Sequence, residues 1–195
     1  RAHKKSGYAV VTLTLKQKGT PPGDITAEQM DQVADLAEQY SLGELRSTHQ
    51  QNLVLPDVEQ AQLFALWQAA KANGLATPTL GLLTDMICCP GGDFCALANA
   101  KSIPVAEAIQ VRFDDLDYLH DLGEIDLNIS GCMNACGHHH VGNIGVLGVD
   151  KKGEEFYQIS LGGSSAGNNT DEAALGKILG PSFARERMAD VIQTI

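Results

Sequence analysis

Five cysteines, Cys88, Cys89, Cys95, Cys132 and Cys136, are crowded into one stretch of a 195-residue chain. Cys89-Pro-Gly-Gly-Asp-Phe-Cys95 has the spacing C-x5-C and Cys132-Met-Asn-Ala-Cys136 the spacing C-x3-C, so two pairs of thiols stand on two short loops. Four soft ligands on two loops suit closure around one metal centre, whereas an odd cysteine count does not suit the disulfide framework of a small secreted domain. A [4Fe-4S] cluster takes four thiolates and carries negative charge, which calls for backbone N–H donors and little side-chain bulk nearby. Gly91, Gly92, Gly131 and Gly137, beside the thiols, are expected to supply both. A structural zinc site is one alternative, although zinc ribbons more often use C-x2-C to C-x4-C knuckles, and buried unligated thiols are another. Cys88 is the spare thiol and is expected to pack as a small apolar residue.

His138, His139 and His140 follow directly. Three consecutive residues cannot all face one way in a helix or strand, so they do not form a three-histidine metal site by themselves. One of them as a proton or hydrogen-bond donor stands against the plainer reading of packed or solvated side chains. Nucleotide signatures are absent: no G-x-G-x-x-G follows a strand, Gly142-x-x-Gly145-x-x-Gly148 has the wrong spacing, and Gly162–Asn169 lacks the lysine of a phosphate loop.

The elements that must hold these residues are legible in outline. Tyr8–Leu15 alternates as a half-buried strand, and Thr26 with Gln29 forms a capping box. The helix so capped should turn Met30, Val33, Ala34, Ala37 and Tyr40 inward and stop at Gly43. Leu45–His49 and Asn52–Leu55 read as strands, and Asp57 with Gln60 as the cap of a second helix facing Leu63, Phe64, Trp67 and Ala70 inward. This β-α-β-β-α unit is small enough to need a partner surface to complete its core. After Thr77-Pro78 the composition shifts to Cys, Gly and small residues, which sets the expected boundary between residues 1–76 and 77–195. In the second unit Ala96–Arg112 is helix-compatible with a break at Pro104, and Ile125–Ile129 is a strand leading into the C-x3-C loop. Asn143–Val149 and Glu155–Leu161 form a hairpin around Asp150-Lys-Lys-Gly153. Gly162–Asn169 is a loop, and Asp171–Leu179 and Ser182–Ile195 read as short helices.

Composition narrows the class. With 44% hydrophobic and 19% charged residues the chain is globular. With 14 Lys and Arg against 24 Asp and Glu its net charge is -10, so neither nucleic acid nor an anionic membrane is an expected partner. No apolar run approaches a membrane span and no signal-peptide core is present, so a soluble, cytoplasmic location is expected. The first residue is Arg1 rather than Met, and the chain is expected to be a piece of something longer.

Cys89-x5-Cys95, then Ser130-Gly-Cys-Met-Asn-Ala-Cys136-Gly, Asn143-Ile-Gly-Val-Leu-Gly148 and Leu161-Gly-Gly163, resembles the C-terminal half of the nitrite/sulfite reductase haemoprotein family. Gly43-Glu-Leu-Arg-Ser-Thr-His-Gln-Gln-Asn-Leu-Val54 looks like the ferredoxin-like half-domain that precedes its cluster domain, so the resemblance covers nearly the whole chain. It implies an α+β protein: the half-domain followed by an α/β sirohaem- and [4Fe-4S]-binding domain with a mixed sheet. By position it makes Cys89, Cys95, Cys132 and Cys136 the cluster ligands and Cys136 also the axial ligand of sirohaem iron. It sets Asn134 and Gly137 against the cluster sulfides, and Arg46 and Gln50, on the R-x-T-x-x-Q stretch, within reach of a haem carboxylate, although an ordinary strand arginine is the rival reading there.

The activity implied is six-electron reduction of sulfite to sulfide in sulfur assimilation, with nitrite to ammonia as the alternative substrate reaction. A non-catalytic iron–sulfur electron-transfer module and a zinc-stabilised interaction domain are the readings from other classes. Sirohaem carries many carboxylates and the substrate is an anion, yet between Ala72 and Asp150 the only basic residues are Lys101 and Arg112. The missing cations are expected from an N-terminal half of the same enzyme, without which this chain is expected to be inactive. The electrons are expected from a separate donor, a flavoprotein or a ferredoxin.

Overall fold

The computed structural model describes residues 1–166 and 172–195. It divides into two compact units, Arg1–Gln17 with Gly23–Leu80, and Lys18–Pro22 with Gly81–Ile195. Among the described residues no helix is long and apolar enough to cross a membrane.

The first unit runs β1 (Tyr8–Leu13), α1 (Ala27–Tyr40), β2 (Arg46–Ser47), β3 (Leu53–Glu59) and α2 (Leu63–Ala72). β3 lies between the other two strands, antiparallel to both. The capping box forms as its spacing implies: Gln29 N donates to Thr26 Oγ1, and Thr26 N to Gln29 Oε1, each at 3.1 Å. The buried stripe of α1 is Val33, Leu36 and Ala37, not the predicted Met30 and Ala34, which face water. Leu36, three residues after Val33 and beside Ala37, brings the larger apolar surface inward. Asp57 is not a helix cap. β3 continues through it to Glu59 because Glu59 pairs with Tyr8, and this long-range ladder outweighs the local signal. A 3-10 turn (Gln60–Gln62) then leads into α2, whose Leu66 and Ala70 are buried. Phe64 and Trp67, predicted to face inward, are exposed and stack on each other with ring centroids 5.7 Å apart.

The second unit holds β4 (Ile87–Cys88), α3 (Ile103–Arg112), α4 (Leu116–Leu122), β5 (Leu127–Ser130), β6 (Ile144–Lys151) and β7 (Glu154–Leu161). After them come β8 (Ser164–Ser165), β9 (Ala173–Ala174), β10 (Lys177–Ile178), β11 (Phe183–Ala184) and α5 (Met188–Thr194). The sheet is mixed, in the order β10-β7-β6-β5-β4 with β11 also on β7. β4, β5 and β6 are parallel, and β6 turns back antiparallel into β7. Pro104 sits in the first turn of α3, where its missing N–H costs nothing, so the helix begins there instead of at Ala96. Lys152 and Gly153, at φ 60° and 85°, close the predicted hairpin as a two-residue turn.

The helix expected over Asp171–Leu179 does not form within its described part. Ala173–Ala174 pairs with β8 and Lys177–Ile178 with β7, so pairing with preceding strands overrides weak local helical preference. Asp171 itself, and Gly167–Asn169 of the predicted loop, lie outside the described residues. The expected terminal helix opens instead as β11 and a 3-10 turn (Arg185–Arg187) before α5. Val105, Ile109, Ile129, Val146, Ile159 and Met188 form the centre of this unit's core.

Candidate metal centre

Both thiol loops leave the sheet at the same end, the carboxyl end of the parallel strands. Cys89 follows the last residue of β4 and Gly131-Cys132 follow the last residue of β5, and these two strands are adjacent and parallel. The carboxyl ends of parallel strands are where α/β sheets hold ligands, because the loops there diverge and leave a crevice.

Gly131 joins the two loops. Its N–H donates to Cys89 Sγ at 3.1 Å, and its carbonyl accepts from Asn99 N at 2.9 Å and Ala100 N at 3.0 Å. Ala100 in turn accepts from Gly92 N at 2.9 Å. A Cβ on Gly131 would stand 2.6 Å from Gly91 Cα and 2.7 Å from the Ala100 oxygen, so only glycine fits. Tyr157, fully buried, donates its hydroxyl to the Lys101 carbonyl at 2.6 Å and so pins the same segment to β7. Burial, and then Glu155, raise the Tyr157 pKa well above the usual phenol range and keep it a donor.

Two of the glycines have their N–H groups engaged by the protein itself. A Cβ on Gly137 would fall on the Ile129 carbonyl, and its N–H goes to Ser130 Oγ at 3.1 Å, not to a thiol. Gly92 N–H is likewise spent on Ala100. These glycines let the loops pack against their own backbone, and of the four only Gly131 is seen to donate to sulfur among the described residues.

Cys89 and Cys132 are buried, Cys95 is half-buried and Cys136 is exposed. Cys88 is buried within the hydrophobic core, paired with Ile129 of the neighbouring strand. Among the described residues no three His, Cys, Asp or Glu side chains converge on a point suited to a single ion. A cubane places its own sulfides between its ligands and so meets thiolates set further apart. The N–H donor on Cys89, the absence of bulk at Gly131 and the soft donor set fit such a cluster. Around the loops Phe94, Leu97 and Met133 are solvent-exposed, as is Asn134.

The three histidines separate. His138 and His140 are exposed, while His139 is 2% exposed with neither ring nitrogen hydrogen-bonded. Burial, and then the neighbouring His140, push the His139 pKa down to about 4, so the ring is neutral near pH 7. The two cations of the stretch are engaged: Lys101 Nζ lies 3.4 Å from Asp93, and Arg112 2.5 Å from Asp190. Arg46 and Gln50 belong to the first unit. Both are exposed, and Arg46 is 2.5 Å from Glu44, whose hydrogen bond and charge raise the guanidinium pKa. Sequence reasoning missed the part played by Tyr157, which in a strand of alternating residues reads as ordinary core.

Residues 3–73 match the family model described as the nitrite/sulfite reductase ferredoxin-like half domain. A chloroplastic ferredoxin–nitrite reductase of Arabidopsis thaliana is 33% identical over 78% of this chain and 25% of its own length. A protein named sulfite reductase [ferredoxin] 2, from Mycolicibacterium paratuberculosis, is 30% identical over 77% of this chain and 29% of its own length. The chain thus spans between a quarter and a third of these curated relatives. The solved structure of the Mycobacterium tuberculosis NirA protein superposes with a TM-score of 0.76 at 26% identity, covering 98% of this chain and 35% of that one. Dissimilatory sulfite reductase I shares the fold, with a TM-score of 0.71 at 14% identity. The paired thiol loops thus stand on a fold and a sequence shared with these reductases, and the chain belongs to the nitrite/sulfite reductase family.

Proposed function

We propose that this chain is the cofactor-bearing C-terminal part of a sirohaem- and [4Fe-4S]-dependent reductase that takes sulfite to sulfide. The observation that carries the reading is the junction at Gly131, which bonds one cysteine loop to the sulfur of the other. Cys89, Cys95, Cys132 and Cys136 would hold the cluster, and Cys136, the exposed thiol of the set, would also meet the haem iron. When bound, these cofactors supply electrons one at a time to an oxyanion.

The chain's own residues do the rest. Gly131 N–H offsets charge on the Cys89 sulfur, and Tyr157 fixes the segment that ties the loops together. His138 and His140, exposed a few residues beyond Cys136, are the candidates for carrying protons to substrate, whereas His139 is turned inward and neutral. Arg46 and Gln50 would bind a haem carboxylate, for which Arg46 has to exchange Glu44. Asn134 would lie against the cluster. The remaining cations would come from an N-terminal half of the same enzyme, and the electrons from a ferredoxin, the donor that the relatives' names carry.

Nitrite is the second reading, supported by relatives named nitrite reductases. Steady-state reduction of each anion by the complete enzyme, with reduced ferredoxin, decides between them through kcat/KM. The metal reading is tested by anaerobic reconstitution of single Cys→Ala variants, scored by iron and sulfide content, absorbance and EPR. Loss of cluster is expected at Cys89, Cys95, Cys132 and Cys136 but not at Cys88. A cluster retained in Cys89→Ala and lost in Cys88→Ala would refute the assignment.

A further inference from the structure

Ser102 occupies the N-cap position of α3, where a serine hydroxyl ordinarily accepts from the first helical N–H groups, yet it makes no such bond. Its Oγ lies instead 3.6 Å from Cys89 Sγ, in a residue that is 0% exposed. Room for this hydroxyl comes from glycines on both thiol loops. A Cβ on Gly91 would stand 2.5 Å from Ser102 Oγ, and one on Gly131 would stand 3.0 Å from it. Cys89 Sγ therefore has two hydrogen-bond partners, the Gly131 amide, which donates at 3.1 Å, and the Ser102 hydroxyl, in a contact where either atom can be the donor. Among the described residues none of Cys95, Cys132 and Cys136 accepts a hydrogen bond at sulfur.

We propose that Ser102 is a positioning residue that donates its hydroxyl hydrogen to the Cys89 thiolate and thereby raises the reduction potential of the cluster. The inference rests on the cluster reading above. A thiol and a hydroxyl can donate to one another in either direction, but a metal-bound thiolate can only accept, so ligation fixes the hydroxyl as donor. Reduction adds negative charge to the cluster and its sulfurs. A donor aimed at one of those sulfurs, that of the buried Cys89, favours the reduced form more than the oxidised one. Of the four ligands, Cys89 becomes the one whose charge the protein offsets most fully.

The test compares the cluster-loaded unmodified protein with Ser102→Ala and Ser102→Thr, by iron and sulfide content and by EPR-monitored redox titration. Ser102→Ala is expected to load a full cluster with a midpoint potential shifted to more negative values, and Ser102→Thr, which keeps the hydroxyl, to return it toward the original. The iron–thiolate stretching bands of the unmodified protein are expected to move in D2O, and to move less in Ser102→Ala. An unchanged potential in a fully loaded Ser102→Ala would overturn the inference. If Ser102→Ala does not load, iron–thiolate bands of the unmodified protein that are insensitive to D2O would overturn it as well. Failure of the unmodified protein to hold any cluster would bring down the metal reading itself, an outcome distinct from the loss of Ser102's role alone.

Discussion

Replacing Gly131 by Ala puts a methyl group where the two thiol loops touch. Its carbon would lie 2.6 Å from Gly91 Cα and 2.7 Å from the Ala100 oxygen, against an ordinary separation of about 3.5–4.0 Å. Both neighbours are backbone, so no rotamer change relieves the overlap, and the loops must part by about 1 Å. That displacement acts on the two bonds accepted by the Gly131 carbonyl, at 2.9 and 3.0 Å, each worth about 1 kcal/mol. With roughly 1 kcal/mol more for strained packing, the substitution should cost about 3 kcal/mol. Gly131 does not have a left-handed φ, so the cost is steric and not conformational. For a urea dependence of about 3 kcal/mol per M, the midpoint should fall by about 1 M. The reporter should be hydrogen exchange on peptides covering Leu127–Ser130, since the single tryptophan, Trp67, sits in the first unit. Gly153→Ala is the control, because a Cβ there meets nothing within 4 Å and pays only for φ 85°, about 1 kcal/mol. A Gly131→Ala protein within about 0.5 kcal/mol of the unmodified one would refute the collision argument.

His139 is held neutral with a pKa of about 4, below the model-peptide value of about 6.5, so the unfolded chain binds the extra proton first. Its contribution is complete above about pH 6.5 and is lost as pH falls toward 4, and His139→Leu should flatten the stability–pH curve in that window by about one proton's slope, read by urea titrations. Cys88→Ala leaves a small cavity in the core of the second unit and should cost about 1 kcal/mol in denaturant titrations while leaving cluster content unchanged. Thr26→Ala removes the side-chain half of the α1 capping box and should cost about 1 kcal/mol, followed by Trp67 fluorescence during unfolding of the first unit.

Local chemistry was legible wherever neighbours in sequence decide the outcome. Thr26 with Gln29, the Lys152-Gly153 turn and the β-α-β-β-α order all follow from short-range rules, and the C-x5-C and C-x3-C spacings marked the thiol loops. The misread cap at Asp57 and the misread helix at Lys177–Ile178 share one cause, a partner supplied from elsewhere in the chain. Asp57 and Gln60 carry a cap signal, but Tyr8 holds Glu59 in the ladder; Lys177–Ile178 is a strand because β7 is there to receive it. Ser102 was invisible for the same reason. Ser102 falls inside the stretch Ala96–Arg112 read as helix-compatible, and nothing in its neighbours tells that a cysteine thirteen residues earlier will lie beside its hydroxyl.

The parallel pairing of β4 with β5 has a consequence in time. β6 and β7 are joined by a two-residue turn, and such hairpins close in about 1–10 μs. β4 and β5 can meet only after the whole crossover through α3 and α4 has folded back, a long-range closure of the kind that slows folding. The Cys89 and Cys132 loops are therefore brought together late, after the β6–β7 hairpin. Quenched-flow alkylation during refolding should find Cys89 and Cys132 still reactive after the β6–β7 amides are protected. In that interval the thiols are open to oxidation, so the order of folding, as much as the final geometry, decides whether a newly made chain brings its thiol loops together in the reduced form.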